Sequence, residues 1–379
     1  MGKVRRVGLL AAVTAASGGL AYRFALAYRV RAGYPRRRPP LIAPDALGLS
    51  YETMTVHSEG LELPAWFIPA RDGAPGPGMV LVHGWESARD RTLPMALFLH
   101  AAGFHILTFD VRGNGANPAE ERPVSAGEFG ADALAAFRTM LARPEITIGG
   151  ISGHSMGGIG AILAAAADPR VGALVASSSP ADPYRLTRQT FRLARLPIPD
   201  PIAYPLAWLT THVYLHPRGH VVRDVNATAA IARYRGPILL AHGDLDAVVP
   251  PAHMERLAAA ARSARGPGDP PVQTILVADG QHSWLYESAE YRRVVARAVT
   301  AALGGPLSPD EAGAIAAATD SRRIPDGDVP FAATEDIQGG ARTLASVVLP
   351  GATRRLRDYE GDGRTSTDGI VKAGATRDR

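Results

Sequence analysis

Short apolar runs separated by longer helical stretches organise the middle of this 379-residue chain. Residues 79–82, 106–109, 146–151, 171–176, 237–241 and 272–277 are brief and uncharged, and most are rich in β-branched side chains. That pattern predicts buried strands. Between them, residues 93–102, 126–141 and 157–167 are rich in Ala, Leu and Ile, which predicts helices. Ser125 precedes the second of these, with Glu128 three residues on, as in a capping box. Residues 53–58 and 61–68 read as a hairpin turning at Glu59-Gly60, an antiparallel edge to the sheet. Strands that alternate with helices imply an α/β domain with a mostly parallel sheet flanked by helices.

Chemistry concentrates at the strand ends. The run 146–151 leads into Gly153-His154-Ser155-Met156-Gly157-Gly158, followed directly by a helix. This is a G-x-S-x-G elbow in strand–turn–helix context, a setting that exposes the serine Oγ and strains its backbone. Gly153 and Gly157 supply room where strand and helix nearly touch.

A serine needs a base and an acid, and in this fold both follow it in the chain. The run 237–241 ends in His242-Gly243-Asp244-Leu245-Asp246-Ala247-Val248-Val249-Pro250, and the run 272–277 ends in Ala278-Asp279-Gly280-Gln281-His282. Both clusters sit after strand ends, where open α/β sheets place their ligand sites. His282 is the candidate base. Asp244 and Asp246 are both candidates for the carboxylate that fixes its tautomer.

Together with Leu81-Val82-His83-Gly84-Trp85 and Phe109-Asp110-Val111-Arg112-Gly113-Asn114-Gly115, these motifs make the chain resemble the α/β-hydrolase family. The likeness is to single-domain bacterial serine hydrolases related to the prolyl-oligopeptidase catalytic domain, and it covers roughly residues 50–303. It implies an α/β-hydrolase fold with a Ser155, His282, Asp246 triad. The family's acid lies three residues after the Gly of the His-Gly turn, which selects Asp246 and leaves Asp244 a turn or capping role. An oxyanion hole requires two backbone N–H donors. Met156, after the nucleophile, supplies one, and the resemblance assigns the other to Trp85. The Trp85 ring is expected either to wall the acyl site or to pack in the core.

Most other conspicuous residues read as structural. His83 and His154 are expected to position loops, His105 to sit in a strand, and Asp110 and Arg112 to organise turns. His57, His100 and His253 have no evident partners. No metal-ligand spacing and no phosphate-binding glycine loop occur, so no metal and no cofactor are expected. Cysteine is absent, which excludes disulfides and thiol chemistry.

The net charge of +5 is unevenly distributed. Residues 1–38 hold nine Lys or Arg and no acid, leaving 32 basic against 36 acidic residues in the remainder. A basic face around the site is what nucleic acid requires, so nucleic acid is excluded as a partner. Lys3, Arg5 and Arg6 precede a 16-residue uncharged run ending at Tyr22, and after Arg23 an apolar stretch resumes to Tyr28. Residues 7–28 are therefore expected to associate with a membrane as a single-pass anchor in the cell envelope. Secretion after signal cleavage, or a cytoplasmic location, are the alternatives. The Arg- and Pro-rich residues 29–48 are expected to be a linker.

The hydrolase domain is expected over residues 45–305. Residues 183–235 interrupt the strand–helix alternation and are expected to form a cap. Asp182-Pro183 would start its first helix. This insertion carries eight Arg against Asp200 and Asp224. Its Arg face would meet anionic lipid or substrate, or simply be solvated. Pro197, Pro199, Pro201, Tyr204, Pro205, Leu206 and Trp208 would line an acyl pocket or form the cap's own core. Residues 306–379 are expected to be an extension, largely disordered, with one short helix from Ser308 to Ala318.

The expected activity is ester hydrolysis through an acyl-enzyme, acting on a small-molecule ester or acyl substrate. A peptidase or aminopeptidase, a thioesterase or lipid acyl hydrolase, and a non-catalytic membrane-anchored binding protein are the competing readings. Acyl chain length and oligomeric state are not legible.

Overall fold

The computed structural model describes residues 2–71, 73–194 and 196–322, with backbone alone for residues 2–13. Helix α1 (Gly2–Ala32) opens the chain. The hairpin follows as β1 (Glu52–Ser58) and β2 (Leu61–Ile68), then β3 (Gly76–Val82), α2 (Leu93–Ala101), β4 (His105–Phe109), α3 (Ala126–Leu141) and β5 (Ile146–His154). Next come α4 (Met156–Ala167), β6 (Val171–Ser177), α5 (Pro183–Leu193), α6 (Asp200–Leu215) and α7 (Ala227–Ile231). The domain finishes with β7 (Ile238–Gly243), α8 (Ala252–Ser263), β8 (Val272–Val277), α9 (Ala289–Leu303) and α10 (Pro309–Ala318).

Among the described residues, eight strands form one sheet in the order β1-β2-β4-β3-β5-β6-β7-β8. Only β2 runs against its neighbours, pairing antiparallel with β1 and β4. The remaining pairings are parallel. Strand β3 shows why the sheet is buried on both faces. Val80 and Val82 join one core with Ile151, Phe129 and Phe137, while Met79 and Leu81 join the other with Phe98, Leu99 and Val295. A period-2 strand with apolar side chains at every position needs helices on both sides. Ser125 caps α3 through Gly127 N–H, and Glu128 returns to the Ser125 N–H at 2.7 Å, completing the capping box.

The α5–α7 segment, the expected cap, lies between β6 and β7 in the chain, and residues of α5 and α6 line one cavity with Ser155 and His282. Asp182 caps α5 through the N–H of Arg185. The Arg stripe on α5 is engaged within the cap. Arg185 meets Asp182, and Arg188 meets Asp200 and stacks over the Tyr204 ring. Tyr204 and Trp208 point outward, each more than half exposed, and Leu206 packs into the cap's own core. Among the pocket-lining candidates in this stretch, none faces the cavity described below. Arg195 lies outside the described residues, as does the expected disordered tail from residue 323 onward.

The N-terminal expectations need correction. Among the described residues, no helix is long and apolar enough to cross a membrane. Helix α1 is long, but its uncharged run stops at Arg23 after 16 residues, short of the ~20 that a span requires. Its second half packs on the cap instead, with Ala27, Tyr28, Phe191 and Ala207 forming a small third core. The stretch read as a linker also lies against the domain. The Gly33 carbonyl accepts from Val124 N–H at 2.7 Å, Arg36 N–H donates to Glu86, and Leu41 N–H donates to Asp90 at 2.8 Å.

Candidate active site

Ser155 stands between the end of β5 and the first residue of α4, at φ 53° and ψ −120°. A non-glycine residue there costs on the order of 1–3 kcal/mol. The turn is held by its surroundings. The Ser155 N–H donates to the Ser177 carbonyl on neighbouring β6 at 2.9 Å, and its own carbonyl accepts from Gly158 N–H. A Cβ on Gly157 would lie 2.2 Å from the His83 carbonyl oxygen, and one on Gly153 would lie 2.1 Å from the Gly157 oxygen. Gly157→Ala should therefore destabilise the fold by about 2–3 kcal/mol. Gly18→Ala, in open space on α1, should be neutral or slightly stabilising. Thermal melts of the two variants beside the parent check this.

His282 follows β8 and brings its ring to the serine. Its Nε2 is 3.0 Å from Ser155 Oγ, and its Nδ1 is 2.9 Å from Asp246 Oδ2. With a carboxylate at Nδ1, the proton sits there, leaving Nε2 to accept from the serine hydroxyl. Asp246 is buried, at 4% exposure. Its Oδ1 accepts from the N–H groups of Val248 and Val249 at 3.0 and 2.8 Å. Burial by itself would raise its pKa, but hydrogen bonds from His242, His282 and Val249 outweigh that and hold it well below the usual carboxylate range. Asp244, its rival in the sequence, is exposed. The loops after β7 and β8 are tied together by Asp244 N–H to the Val277 carbonyl and Leu245 N–H to the Gly280 carbonyl.

Two histidines sit behind this arrangement. His242 Nε2 donates to the Val249 carbonyl at 2.7 Å and lies 3.2 Å from Asp246 Oδ2. Sequence reasoning missed it, because a His four residues before an Asp carries no signal until both share a loop. His154 Nε2 donates to the His282 carbonyl at 2.7 Å, fixing the loop that carries His282. Burial, reinforced by the His282 charge, pushes the His154 pKa down to about 4. Burial does the same to His253, whose Nδ1 accepts from Ala181 N–H. The expectation that His253 lacks a partner is thus corrected.

These two depressed values make stability depend on pH. Below an unfolded-state pKa near 6.5, the unfolded chain takes up protons that the folded chain refuses. Stability therefore falls as pH drops from about 6.5 towards 4, by about 2 kcal/mol per buried histidine at pH 4.5. His154 is the more open of the two, so water screening reduces its share. Urea unfolding at pH 7 and pH 4.5 should show the loss, and His253→Gln should shrink the pH dependence.

His83, His105, Asp110 and Arg112 hold the frame, as expected. His83 donates from Nδ1 to the Gly84 carbonyl and accepts Val111 N–H at Nε2. His105 accepts from Ala70 N–H and donates to the Ala74 carbonyl. Asp110 receives Arg89 and Ala116 N–H groups, and Arg112 is bound by buried Asp132. Among the described residues, no cluster of three His, Cys, Asp or Glu could hold a metal ion.

The Gly84 backbone abuts Ser155, since a Cβ there would be 3.4 Å from Ser155 Cβ. Trp85 follows it, its ring stacked on Phe129 with centroids 6.3 Å apart. Met156 opens α4, and the first N–H groups of a helix have no acceptor within it. Ser155, His282, Trp85 and Met156 all line one cavity of about 400 Å³ beneath the cap, within the range of small-molecule pockets.

A model of the alpha/beta hydrolase family matches residues 79–298, more than half of the chain. The chain is similar to two uncharacterized proteins of Mycobacterium tuberculosis strains, at 28% identity over 230 residues, 60% of this chain and 73% of each relative. Among solved structures it is similar to an esterase of Pyrococcus furiosus, with TM-score 0.52 and 21% identity, covering 66% of this chain and 89% of that one. Sheet order, elbow and family match agree: the chain belongs to the alpha/beta hydrolase family.

Proposed function

We propose that this protein is a serine hydrolase that cleaves carboxylic esters of small molecules through an acyl-enzyme. The observation that carries the reading is the continuous chain from Ser155 Oγ to His282 Nε2, at 3.0 Å, and from His282 Nδ1 to Asp246, at 2.9 Å. In this reading Ser155 attacks the ester carbonyl while His282 takes its proton. Asp246 holds the imidazole tautomer and stabilises the cation that forms. The tetrahedral oxyanion is held by the backbone N–H groups of Met156 and Trp85, each such donor being worth about 3 kcal/mol in the transition state. His282 then protonates the departing alcohol, and water, activated by the same imidazole, releases the acid.

Esters are the favoured substrates because an alcohol leaves with less assistance than the amine of an amide, and the cavity offers apolar walls to an acyl group. The test is turnover of p-nitrophenyl esters from acetate to palmitate by the full chain, beside Ser155→Ala. Serine-dependent turnover supports the esterase reading. A folded protein that takes a fluorophosphonate on Ser155 yet hydrolyses no ester points to peptide or thioester substrates.

A further inference from the structure

Helix α1 is part of the cavity that holds Ser155. Tyr28, Arg31 and Ala32 line the same space as Ser155, His282 and Met156. The helix is fastened there at several points. Tyr28 lies edge-on to Phe191 of α5, with centroids 5.8 Å apart, and Phe24 meets the same ring at 5.5 Å. Tyr214 of α6 donates its hydroxyl to the carbonyls of Ala32 and Val124, at 3.1 and 2.5 Å. Tyr28 is 8% exposed.

The hydroxyl groups of this wall are already engaged with protein partners. The Tyr28 hydroxyl is 2.8 Å from Thr190 Oγ1, and Thr190 in turn donates to the Thr187 carbonyl. Thr187 and Thr211 pair through their hydroxyls at 3.0 Å, and Thr211 donates to the Ala207 carbonyl. With Tyr214, five hydroxyl-bearing side chains line the cavity here, and each is satisfied by protein. Around Tyr28 and Ala32 such a wall presents ring faces and methyl groups to a ligand. A sugar or peptide would bring polar groups with no partner there, at about 1–3 kcal/mol for each buried and unmatched. A hydrocarbon chain brings none.

We propose that α1 is a wall of the acyl pocket, and that Tyr28 and Ala32 determine which acyl chains the enzyme accepts, selecting hydrocarbon chains. The proposal rests on the esterase reading above. It assigns Tyr28 and Ala32 of α1 to substrate selection.

Two readouts on the full chain separate this proposal from the reading beneath it. The first is kcat/KM for p-nitrophenyl acetate, decanoate and palmitate. Ala32→Trp should lower the decanoate-to-acetate ratio at least tenfold, and Tyr28→Ala should raise the palmitate-to-decanoate ratio. Leu20→Ala, exposed on the same helix, should leave the profile unchanged. The second is binding of decanoate to Ser155→Ala protein by calorimetry, which needs no chemistry. Ala32→Trp in that background should weaken binding at least tenfold. A decanoate-to-acetate ratio and decanoate affinity that Ala32→Trp leaves unchanged in a folded protein would overturn the wall, as would a Ser155→Ala protein that binds no decanoate. Ester turnover that persists in Ser155→Ala would instead overturn the esterase reading.

Discussion

Ser155→Ala is expected to lower kcat for ester hydrolysis by about 10⁵- to 10⁶-fold, leaving the fold intact. Losses of that size follow removal of a serine nucleophile, because its base acts only through it, while the oxyanion donors and substrate binding leave a small residual rate. The fold should survive because Ser155 takes its φ of 53° from the packing of β5, α4 and the His83 loop. Alanine tolerates that strained conformation about as well as serine. Thermal unfolding should move little while turnover disappears. Substrate affinity should persist, because the cavity walls are untouched.

Asp246→Asn is expected to have the second largest effect, a fall in kcat on the order of 10⁴-fold. A carboxamide keeps the shape and still accepts the Val248 and Val249 N–H groups through its oxygen. It then turns an NH₂ toward His282 Nδ1, which favours the tautomer with the proton on Nε2. That nitrogen can no longer accept the Ser155 proton. Asp244→Asn, two residues away and exposed, should stay within about twofold of the parent. Steady-state kinetics of the pair decide the acid directly: loss in Asp244→Asn with retention in Asp246→Asn would reverse the assignment.

Much of this is legible in the chain. The strands that carry the site are uncharged runs whose ends coincide with the polar motifs, so the residues themselves imply the parallel sheet and the order of a serine, a carboxylate and a histidine, while the choice of Asp246 over Asp244 comes from the family resemblance. The Ser125–Glu128 capping box and the Glu59-Gly60 hairpin are local patterns, and local patterns survive folding. What the chain hides are partners that only folding brings together. His242 and His154 look like ordinary motif residues until folding sets one against Asp246 and the other against the His282 carbonyl. The cap prolines and Trp208 carry the composition of a pocket lining, but helix α6 turns Trp208 outward.

At the N-terminus, composition and folding disagree. Basic residues ahead of an apolar run match an anchor in composition, and composition does not reveal which face of a helix finds a partner. Phe24, Tyr28 and Ala32 recur on one helical face, and that face meets Phe191 and Tyr214, which lie far along the chain on the cap. An assay on protein stripped of residues 1–38 would therefore probe an altered cavity, and the full chain is the proper subject.

An activated Ser155 should react with a fluorophosphonate as no ordinary serine does. The folded full chain would be treated near pH 7.5 and the adduct mapped by peptide mass spectrometry. One phosphonyl group per chain is expected, on Ser155, absent from Ser155→Ala and strongly slowed in His282→Ala. A folded chain that takes no label, or that carries it on another residue, would contradict a nucleophilic Ser155 and the hydrolase chemistry built on it.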